Sequence, residues 1–514
     1  MDVVIGLDCG TSATKAVAVG LDGSRCIVRA TASVAYPLLV PAPGRAELDP
    51  VVLQDAAVRA LAAAASKVLA SGDSVIAISL SAAMHGTVPM KQDGSPLGRL
   101  VTWADERAVD EAAALVADGR ARELHRRTGT PVHAMSPLAK LAWWSGHDTD
   151  LMRGTPRWGG VKELVVAALC EVAHVGHVVD VSCASTTGCY DIHSGRWDEE
   201  ALGIAGVRED QLADVMPTTE LLPGLRSDVA AATGLPTDIP VVIGAADGVL
   251  ANLGVGAVTP GTAAVSIGTS GALRTVVAAP GVDPDAGLFC YALTEDHWVL
   301  GGPVNNAGSV VRWASRAFDA QVDGPEPEGE PADLRDAALL AEAEAVPVGS
   351  EGLLCLPYLL GERAPWWRPG LRGAYVGLRR EHGRGHLVRA AVEGVCQQLA
   401  LVHDALRGNG PEITEVRATG GSVGSPLWMR TLAATLDLPV RVADSPEGTG
   451  IGAGLLGWHA LGLLPDLDTA ATLVQLRDTV EPDAVAAEYF RTARPLVQRT
   501  TDALAEIFDE LDSL

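Results

Sequence analysis

The 514 residues of the chain exceed what one hydrophobic core supports, so we expect two domains of ordinary size with a small third element. Apolar residues make up 48% of a chain with a formal net charge of −25, which is typical of a soluble globular protein and disfavours nucleic acid or anionic lipid as partners. The chain has no run of about 18 apolar residues, no basic leader and no CxxC pair among its eight cysteines, so we expect a cytoplasmic protein without a membrane span or a signal peptide.

The first half of the chain predicts an α/β sheet covered by helices. Two apolar runs flank a short polar turn at residues 9–13, and an Asp-Gly pair at 22–23 is a hairpin signal. The predicted strands are 3–8, 14–20, 25–34 and 75–81, and the predicted helices are 50–71, 106–127 and one that starts at Ser136-Pro137.

Near residue 240 the same pattern starts again. "PVVIGAADG" (240–248) is a buried strand that ends in small residues and an acid, and 263–278 are again two apolar runs around a turn of Gly, Thr and Ser. Further elements are predicted at 384–407 (helix), 413–421 (strand), 425–436 (helix), 440–462 (strand, loop and helix) and 484–512 (helix). Repetition of one unit indicates a duplicated fold, which we divide into domains at 1–245 and 246–514.

Each half contains a turn of glycine and hydroxyl residues that suits phosphate. In "DCGTSATK" (8–15) and "SIGTSG" (266–271), backbone N–H groups and hydroxyls are unobstructed by bulky side chains. Two such turns predict a grip on a triphosphate from both sides of a cleft. Asp8 would repel phosphates without a cation between them, so it implies Mg²⁺; the alternative is that Asp8 only accepts N–H bonds of its own turn.

These residues resemble the FGGY carbohydrate kinases. The two turns are similar to the phosphate motifs of that family, "MSPLAKLAW" (135–143) to its first signature, and "ATGGSVGSPLWMRTLAATLDLPV" (418–440) to its second, adenosine-side signature, with Arg430 where the family often has Gln. "GAADGVLANLG" (244–254) resembles the segment with the catalytic aspartate. The resemblance implies an α/β, actin-like ATPase fold (ribonuclease H-like and duplicated) of two domains with a central cleft that holds ATP and Mg²⁺.

The catalytic base is predicted at Asp247, by its place at the end of a buried strand and by the resemblance; the alternative is a cap of the following helix. Asp8 and Asp247 are the predicted metal ligands. The resemblance implies that ATP is bound by Asp8, Gly10, Thr11, Ser12, Lys15, Gly268, Thr269, Gly271, Gly420, Gly421 and Ser422. Lys15 is equally consistent with a solvent-exposed lysine at a strand edge.

The sugar side is predicted in "SAAMHGTVPM" (81–90) and "VTWADER" (101–107). "TWADER", "VKELV" (161–165), "GGPVNNAGSVVRW" (301–313) and "GERAPWWRPGLRGAYVGL" (361–378) look more like the gluconokinase branch than the xylulokinase branch. A sugar acid needs donors for its carboxylate, and four of the predicted substrate residues supply them. The predicted substrate-binding residues are Met84, His85, Gly86, Trp103 and Asp105, with Lys162, Asn305, Asn306 and Arg363 as the carboxylate donors. As alternatives, His85 and Trp103 could be structural, Asp105 a helix cap, and Arg363 a partner of Glu362.

The resemblance implies an ATP-dependent kinase that converts D-gluconate into 6-phospho-D-gluconate, with a xylulokinase as the alternative. A conformational ATPase of the actin or chaperone type and a sugar sensor without catalysis are rivals from other classes. The expected partner is a small sugar or sugar acid, and a homodimer stays open.

Overall fold

A mixed β-sheet organises each of two units of the chain. The computed structural model describes residues 1–318 and 333–512. The first unit comprises Met1–Thr259, Val276–Leu300 and Glu447–Gln475, and the second comprises the described residues of Pro260–Thr275, Gly301–Pro446 and Leu476–Leu514. The units are therefore not contiguous in sequence, and the boundary at 245/246 stays a prediction.

The strands and helices follow each other along the whole described chain. The strands are β1 (Asp2–Cys9), β2 (Ala13–Asp22), β3 (Arg25–Ala35), β4 (Glu47–Leu48), β5 (Ser74–Ala82), β6 (Val88–Met90), β7 (Leu100–Val101), β8 (Arg157–Gly159), β9 (Val178–Asp180), β10 (Tyr190–Asp191), β11 (Arg196–Trp197), β12 (Asp214–Met216), β13 (Leu221–Leu222), β14 (Val241–Ala246), β15 (Thr262–Ile267), β16 (Gly271–Val277), β17 (Phe289–Ala292), β18 (Trp298–Val304), β19 (Leu354–Leu356), β20 (Ala374–Val376), β21 (Glu415–Thr419), β22 (Val440–Ala443) and β23 (Leu476–Val480). The helices are α1 (Pro50–Ala70), α2 (Val109–Ala117), α3 (Ala121–Thr128), α4 (Pro137–His147), α5 (Thr149–Gly154), α6 (Val161–Leu169), α7 (Val172–Val175), α8 (Val181–Ser185), α9 (Glu199–Ala205), α10 (Ser227–Thr233), α11 (Asp247–Gly254), α12 (Gly308–Ala317), α13 (Asp333–Glu344), α14 (Arg384–Asn409), α15 (Pro426–Leu436), α16 (Gly448–Ala460), α17 (Ala470–Leu473) and α18 (Ala484–Asp512).

The sheet of the first unit has the order β13-β14-β5-β1-β2-β3. β1, β2 and β3 pair antiparallel as a meander, whereas β5 runs parallel to both β1 and β14. The central strands are buried along almost their whole length, as expected for strands that are covered on both faces. The carboxyl ends of β1, β5 and β14 consequently lie at one edge of the sheet.

The second unit repeats this topology. A seven-stranded sheet has the order β17-β18-β16-β15-β21-β22-β23, in which β15 pairs antiparallel with β16 and parallel with β21, and β21 pairs parallel with β22. β15, β16, β21 and β22 therefore correspond to β1, β2, β5 and β14. This correspondence confirms the duplication predicted from the two glycine-hydroxyl turns.

One predicted helix is wrong, because the structure has two shorter helices in its place. The charged segment 106–127 folds as two helices, α2 and α3, rather than one. Gly119 lies between them with φ of +76°, a left-handed conformation that ends a helix, and its flanking residues carry no apolar side chain to continue the buried face. The predicted helices at 50–71, 425–436 and 484–512 are confirmed.

Within residues 1–318 and 333–512, no helix is long and apolar enough to cross a bilayer.

Helices α11 and α16 of the first unit pack backbone against backbone. A Cβ added to Gly254 of α11 would lie 1.6 Å from the carbonyl oxygen of Gly448, the first residue of α16. Only a residue without a side chain allows this approach, which sets the distance between the helix that begins at Asp247 and its neighbour.

We therefore expect Gly254→Ala to destabilise the protein by roughly 1–3 kcal/mol, because backbone atoms cannot move aside as a flexible side chain would. The midpoint of urea unfolding, followed by circular dichroism, measures the change.

Gly203→Ala is the matched control. Gly203 is an exposed glycine in α9, and an added Cβ would meet no atom within 4 Å. Alanine there should stabilise the helix by about 0.5–1 kcal/mol. Equal midpoints for the two variants would contradict the packing argument.

Candidate active site

Three polar side chains meet at the carboxyl edge of the first sheet. The strand register places Asp8 of β1 beside Ser81 of β5, and Ala82 of β5 beside Ala246 of β14, which Asp247 follows directly. The Ser81 hydroxyl donates to Asp8 Oδ1 at 2.9 Å, and the Gly248 N–H donates to Asp247 Oδ1 at 2.6 Å. The carboxyl edge of parallel strands is the usual position for ligand-binding residues in open α/β sheets.

The electrostatics of this edge favour a bound cation. Burial, and after it the nearby charge of Asp247, raise the pKa of Asp8 to about 7, against the opposing effects of the Ser81 hydrogen bond and the charge of Lys15. Oxygen ligands from one or two carboxylates, completed by water and phosphate, are what Mg²⁺ uses beside nucleotides. Asp8 and Asp247 therefore fit such an ion, although no group of three or more His, Cys, Asp or Glu suited to a metal occurs in the described residues.

The first glycine-hydroxyl turn is held from both sides. The Gly10 N–H donates to the Ala13 carbonyl at 3.0 Å, and the Tyr36 hydroxyl donates to the Gly10 carbonyl at 2.7 Å. Trp103 Nε1 donates to Thr11 Oγ1 at 3.0 Å, which links a predicted sugar residue to a predicted phosphate residue, while Ser12 is exposed. The structure thus presents this turn at the surface of the first unit in a fixed conformation.

Lys15 forms an ion pair that the sequence does not reveal. Its ammonium lies 3.1 Å from Glu447 Oε2, and its side chain is 44% exposed. Glu447 directly precedes α16, and its charge acts on Asp8 as well. Lys15 therefore lies beside the acidic edge and is also partly exposed. Its position is compatible with both alternatives, a phosphate ligand and a solvent-exposed lysine at a strand edge.

The second glycine-hydroxyl turn is anchored on the start of α12. The Gly268 N–H donates to the Ser270 carbonyl at 3.0 Å, and the Gly308 N–H donates to the Gly268 carbonyl at 2.8 Å. Gly271 begins β16, and an added Cβ would lie 3.0 Å from the Val304 side chain. The loop that contains Thr269 is consequently rigid, with little room for larger residues at its ends.

A cavity of about 560 Å³ opens beside this turn within the second unit. Its lining includes Gly268 and Thr269 from the turn, Gly421 and Ser422 from the loop after β21, and the buried Trp428. Gly420 adopts φ of +108°, and an added Cβ would lie 2.5 Å from the Ile267 carbonyl oxygen, so only glycine fits between β21 and β15. The predicted nucleotide residues of the second half are thus brought together.

A buried lysine supports the predicted sugar loop Met84-His85-Gly86. His85 has φ of +62°, an unfavourable conformation for a residue with a side chain. Lys140, which is fully buried, donates to the carbonyls of His85 at 2.8 Å and Met135 at 2.6 Å, and the His85 ring is bonded through Nδ1 to the Thr186 carbonyl at 2.8 Å. Burial lowers the pKa of Lys140 to about 7. The loop is therefore held in a strained shape, which is frequent at functional sites.

Two of the predicted substrate residues have their charged groups bonded inside the fold. Lys162 is only 1% exposed; its ammonium donates to three strand carbonyls, including that of Ile243, and pairs with Asp180 at 3.2 Å. The cavity that it lines with Met84, His85 and Gly86 measures about 60 Å³, which holds about two water molecules. Because its donors are used inside the fold, the structure argues against Lys162 as a ligand of a substrate carboxylate.

The carboxylate of Asp105, like the ammonium of Lys162, is bonded inside the fold. Its oxygens accept from the Ala46 N–H at 2.8 Å, from the Arg107 N–H, and from Arg107 Nε at 2.7 Å and a second guanidinium nitrogen at 2.9 Å. Burial acts to raise the pKa of Asp105, but these hydrogen bonds outweigh it, so that the pKa lies below its ordinary value. With its carboxylate buried and bonded, Asp105 holds the loop after Trp103 and does not present itself to a sugar hydroxyl.

The three remaining predicted donors converge on one buried acid, Glu362. Its carboxylate accepts from the Asn305 N–H at 2.6 Å, the Arg363 N–H at 2.9 Å and Asn306 Nδ2 at 3.1 Å, and burial raises its pKa to about 7. Asn306 is fully buried, which argues against contact with substrate, whereas Asn305 is partly exposed. Arg363 is buried and donates to the Val304 carbonyl at 3.3 Å.

Comparisons with known proteins identify the family of the chain. Residues 3–254 match the N-terminal domain of the FGGY family of carbohydrate kinases, and residues 263–461 match its C-terminal domain. The chain belongs to the FGGY family of carbohydrate kinases. It is therefore a phosphotransferase of the two-domain, actin-like ATPase fold, and ATP is the phosphate donor of these kinases.

Individual relatives cover almost the whole of this FGGY kinase. It is 37% identical to the gluconokinase of Bacillus subtilis (strain 168), over 96% of this chain and 94% of that one. It is 28% identical to the xylulose kinase of the same organism, over 92% of this chain and 91% of that one. The crystal structure of gluconate kinase from Lactobacillus acidophilus is 31% identical and superposes with a TM-score of 0.89, covering 99% of both chains.

Sequence reasoning missed several residues of this site. Ser81, Lys140 and Glu447 each reach a predicted site residue only through the folded chain, and Glu447 is 432 positions from Lys15. The sequence did contain a signal for Lys140 and Trp428, because both lie inside the segments that resemble the two family signatures. No local pattern marks Glu447.

Asp8→Asn is expected to raise the thermal unfolding midpoint of the ligand-free kinase, and more at pH 8 than at pH 5. The pKa of Asp8 is raised from 3.8 in the unfolded chain to about 7 in the folded protein, so stability falls as the pH rises between these values. Asparagine has no charge and removes this dependence.

Asp2→Asn is the control, because Asp2 is exposed on the same strand; its effect should be small at either pH. An Asp8→Asn midpoint shift of equal size at both pH values would contradict the electrostatic interpretation.

Proposed function

We propose that this kinase transfers the γ-phosphate of ATP to the terminal hydroxyl of D-gluconate, giving 6-phospho-D-gluconate and ADP. The observation that carries the proposal is the 37% identity to a gluconokinase over nearly the full length, against 28% for a xylulose kinase. A fold hosts many substrates, so the superposition with the gluconate kinase structure is secondary support.

In the proposed mechanism Asp247 is the general base. It takes the proton of the attacking hydroxyl, which is a poor nucleophile until it loses that proton. The small neighbours Ala246 and Gly248 leave room for an alcohol beside the carboxylate, and the Gly248 N–H fixes one of its oxygens. The strained His85 loop, supported by Lys140, is proposed to orient the polyol.

The nucleotide is assigned to the glycine-hydroxyl turns and the cavity of the second unit. Thr11 and Ser12 from the first turn and Thr269 from the second are proposed to bind phosphate oxygens, with adenosine against Gly421 and Ser422. Mg²⁺, when bound by Asp8 and Asp247, neutralises phosphate charge during transfer. Asn305 and Arg363 are the proposed donors for the gluconate carboxylate.

The proposal also covers the location and the partners of the kinase. The eight cysteines are free thiols in the described structure, which suits a reducing, cytoplasmic location. Partners other than ATP and the sugar acid are not required, and the homodimer stays a prediction.

The substrate is tested by ADP release with D-gluconate, D-xylulose, ribulose, glycerol and fuculose. D-Gluconate should give the highest kcat/KM, by at least about tenfold over D-xylulose, because a neutral sugar lacks the carboxylate that Asn305 and Arg363 are proposed to bind. A preference for D-xylulose would establish the xylulokinase alternative, and turnover unaffected by any polyol would favour a conformational ATPase.

Asp247→Ala should lower kcat by roughly 10²–10⁴ and retain ATP affinity, because the base acts on the acceptor alcohol. Steady-state kinetics and ATP-analogue titration measure the two quantities. Asp238→Ala, at an exposed position shortly before β14, is the control and should behave as wild type. A nearly normal kcat for Asp247→Ala would exclude Asp247 as the base.

A further inference from the structure

The second unit contains another cavity that the proposed reaction does not use. It measures about 440 Å³ and lies between α14, α15 and the start of α18. Of its lining residues only Glu344 also lines the nucleotide-side cavity. Its volume lies within the range of small-molecule sites. We refer to this cavity as the α15–α18 pocket.

Arg389 gives the α15–α18 pocket a cation whose hydrogen-bond donors are only partly used. The residue is only 7% exposed, and its Nε donates to Glu393 Oε1 at 2.9 Å. Glu393 is further satisfied by the Gly349 N–H at 2.9 Å and the Ser350 hydroxyl at 3.0 Å. Within the described chain the terminal guanidinium nitrogens of Arg389 make no hydrogen bond, and Arg389 lines the pocket. A guanidinium edge in that state suits an oxyanion.

Thr431 adds a hydroxyl without a partner. It is 3% exposed, it lines the same pocket, and Oγ1 has no hydrogen bond to the described residues. A helical threonine commonly donates to the carbonyl four residues earlier, as Thr435 does to Thr431 at 2.6 Å. A buried hydroxyl that forgoes this bond is costly unless another group satisfies it. A ligand oxygen in the pocket would do so once the Thr431 side chain rotates toward it, because the oxygen itself is buried.

The rim of the pocket narrows the class of ligand. Glu481 and Asp483 are exposed lining residues that would repel a bare anion. The same carboxylates accept hydrogen bonds from hydroxyl groups. Leu427 and Phe490 supply an apolar surface for a carbon skeleton. A molecule with an oxyanion at one end and hydroxyl groups along its chain complements these groups, while the other charged lining residues, Arg430 and Glu344, pair with each other.

We propose that the α15–α18 pocket binds a sugar phosphate, with the phosphate at Arg389 and Thr431 and the hydroxyl groups at Glu481 and Asp483. A phosphate monoester matches these groups better than a carboxylate, because it offers three oxygens to a guanidinium edge and a hydroxyl. The site is separate from the nucleotide-side cavity and does not depend on which sugar the kinase phosphorylates.

Isothermal titration calorimetry tests the proposal on the full chain. The protein is first saturated with a non-hydrolysable ATP analogue and the sugar that gives the highest kcat/KM in the ADP-release assay, so that the reaction site is occupied, and D-glucose 6-phosphate is then titrated. One equivalent should bind. Inorganic phosphate should bind at least about tenfold more weakly and D-glucose should not bind, because each lacks half of the contacts.

Thr431→Val separates the pocket from other sites. Valine has the shape of threonine and removes an unsatisfied hydroxyl, so the variant should fold at least as stably as wild type and bind D-glucose 6-phosphate about tenfold more weakly. Thr435→Val, one turn along α15 and outside the pocket lining, should bind within about twofold of wild type. Arg389→Lys should weaken binding as well, because an ammonium lacks the planar pair of donors.

Three results would overturn the proposal. They are no binding of D-glucose 6-phosphate at millimolar concentration, binding that Thr431→Val leaves unchanged, and equally tight binding of inorganic phosphate. The last result would reduce the pocket to a simple anion site.

Discussion

The proposed chemistry depends on one constraint, the shared carboxyl edge of the parallel strands β1, β5 and β14. Parallel pairing forces the ends of these strands to the same side, so Asp8, Ser81 and Asp247 meet although they are far apart in sequence. Two carboxylates at such an edge repel each other, and the raised pKa of Asp8 is the expression of that repulsion and of burial. The fold therefore maintains a site whose electrostatic cost a bound cation would relieve.

Buried cations fix the backbone around this edge. Lys162 binds carbonyls at the ends of β5 and β14, and Lys140 holds the carbonyl of the strained His85. A buried ammonium is costly by itself, but each of these two is surrounded by acceptors that offset the loss of water. Their arrangement explains why residues that look like substrate ligands in sequence serve as supports in the structure.

Family membership and substrate choice rest on different evidence. The match of both halves of the chain to the FGGY domains identifies a kinase that uses ATP, and the repeated sheet topology agrees with it. Substrate choice depends on a few side chains near the acceptor, and the backbone N–H groups of the proposed carboxylate donors, Asn305 and Arg363, both donate to the buried acid Glu362. A small change at that acid could therefore alter specificity without altering the fold.

The sequence by itself determined the duplicated α/β fold and predicted the two glycine-hydroxyl turns and Asp247 as site residues, because each depends on a local pattern of apolar runs, glycines and hydroxyls within about twenty residues. Only the tertiary structure decided which charged residues are available to a ligand. Asp105 is bonded to Arg107 and Lys162 is paired with Asp180. Lys15 is paired with Glu447, which is 432 positions away in the sequence. The burial and pairing of charged residues depend on distant parts of the chain, so the local sequence does not predict them.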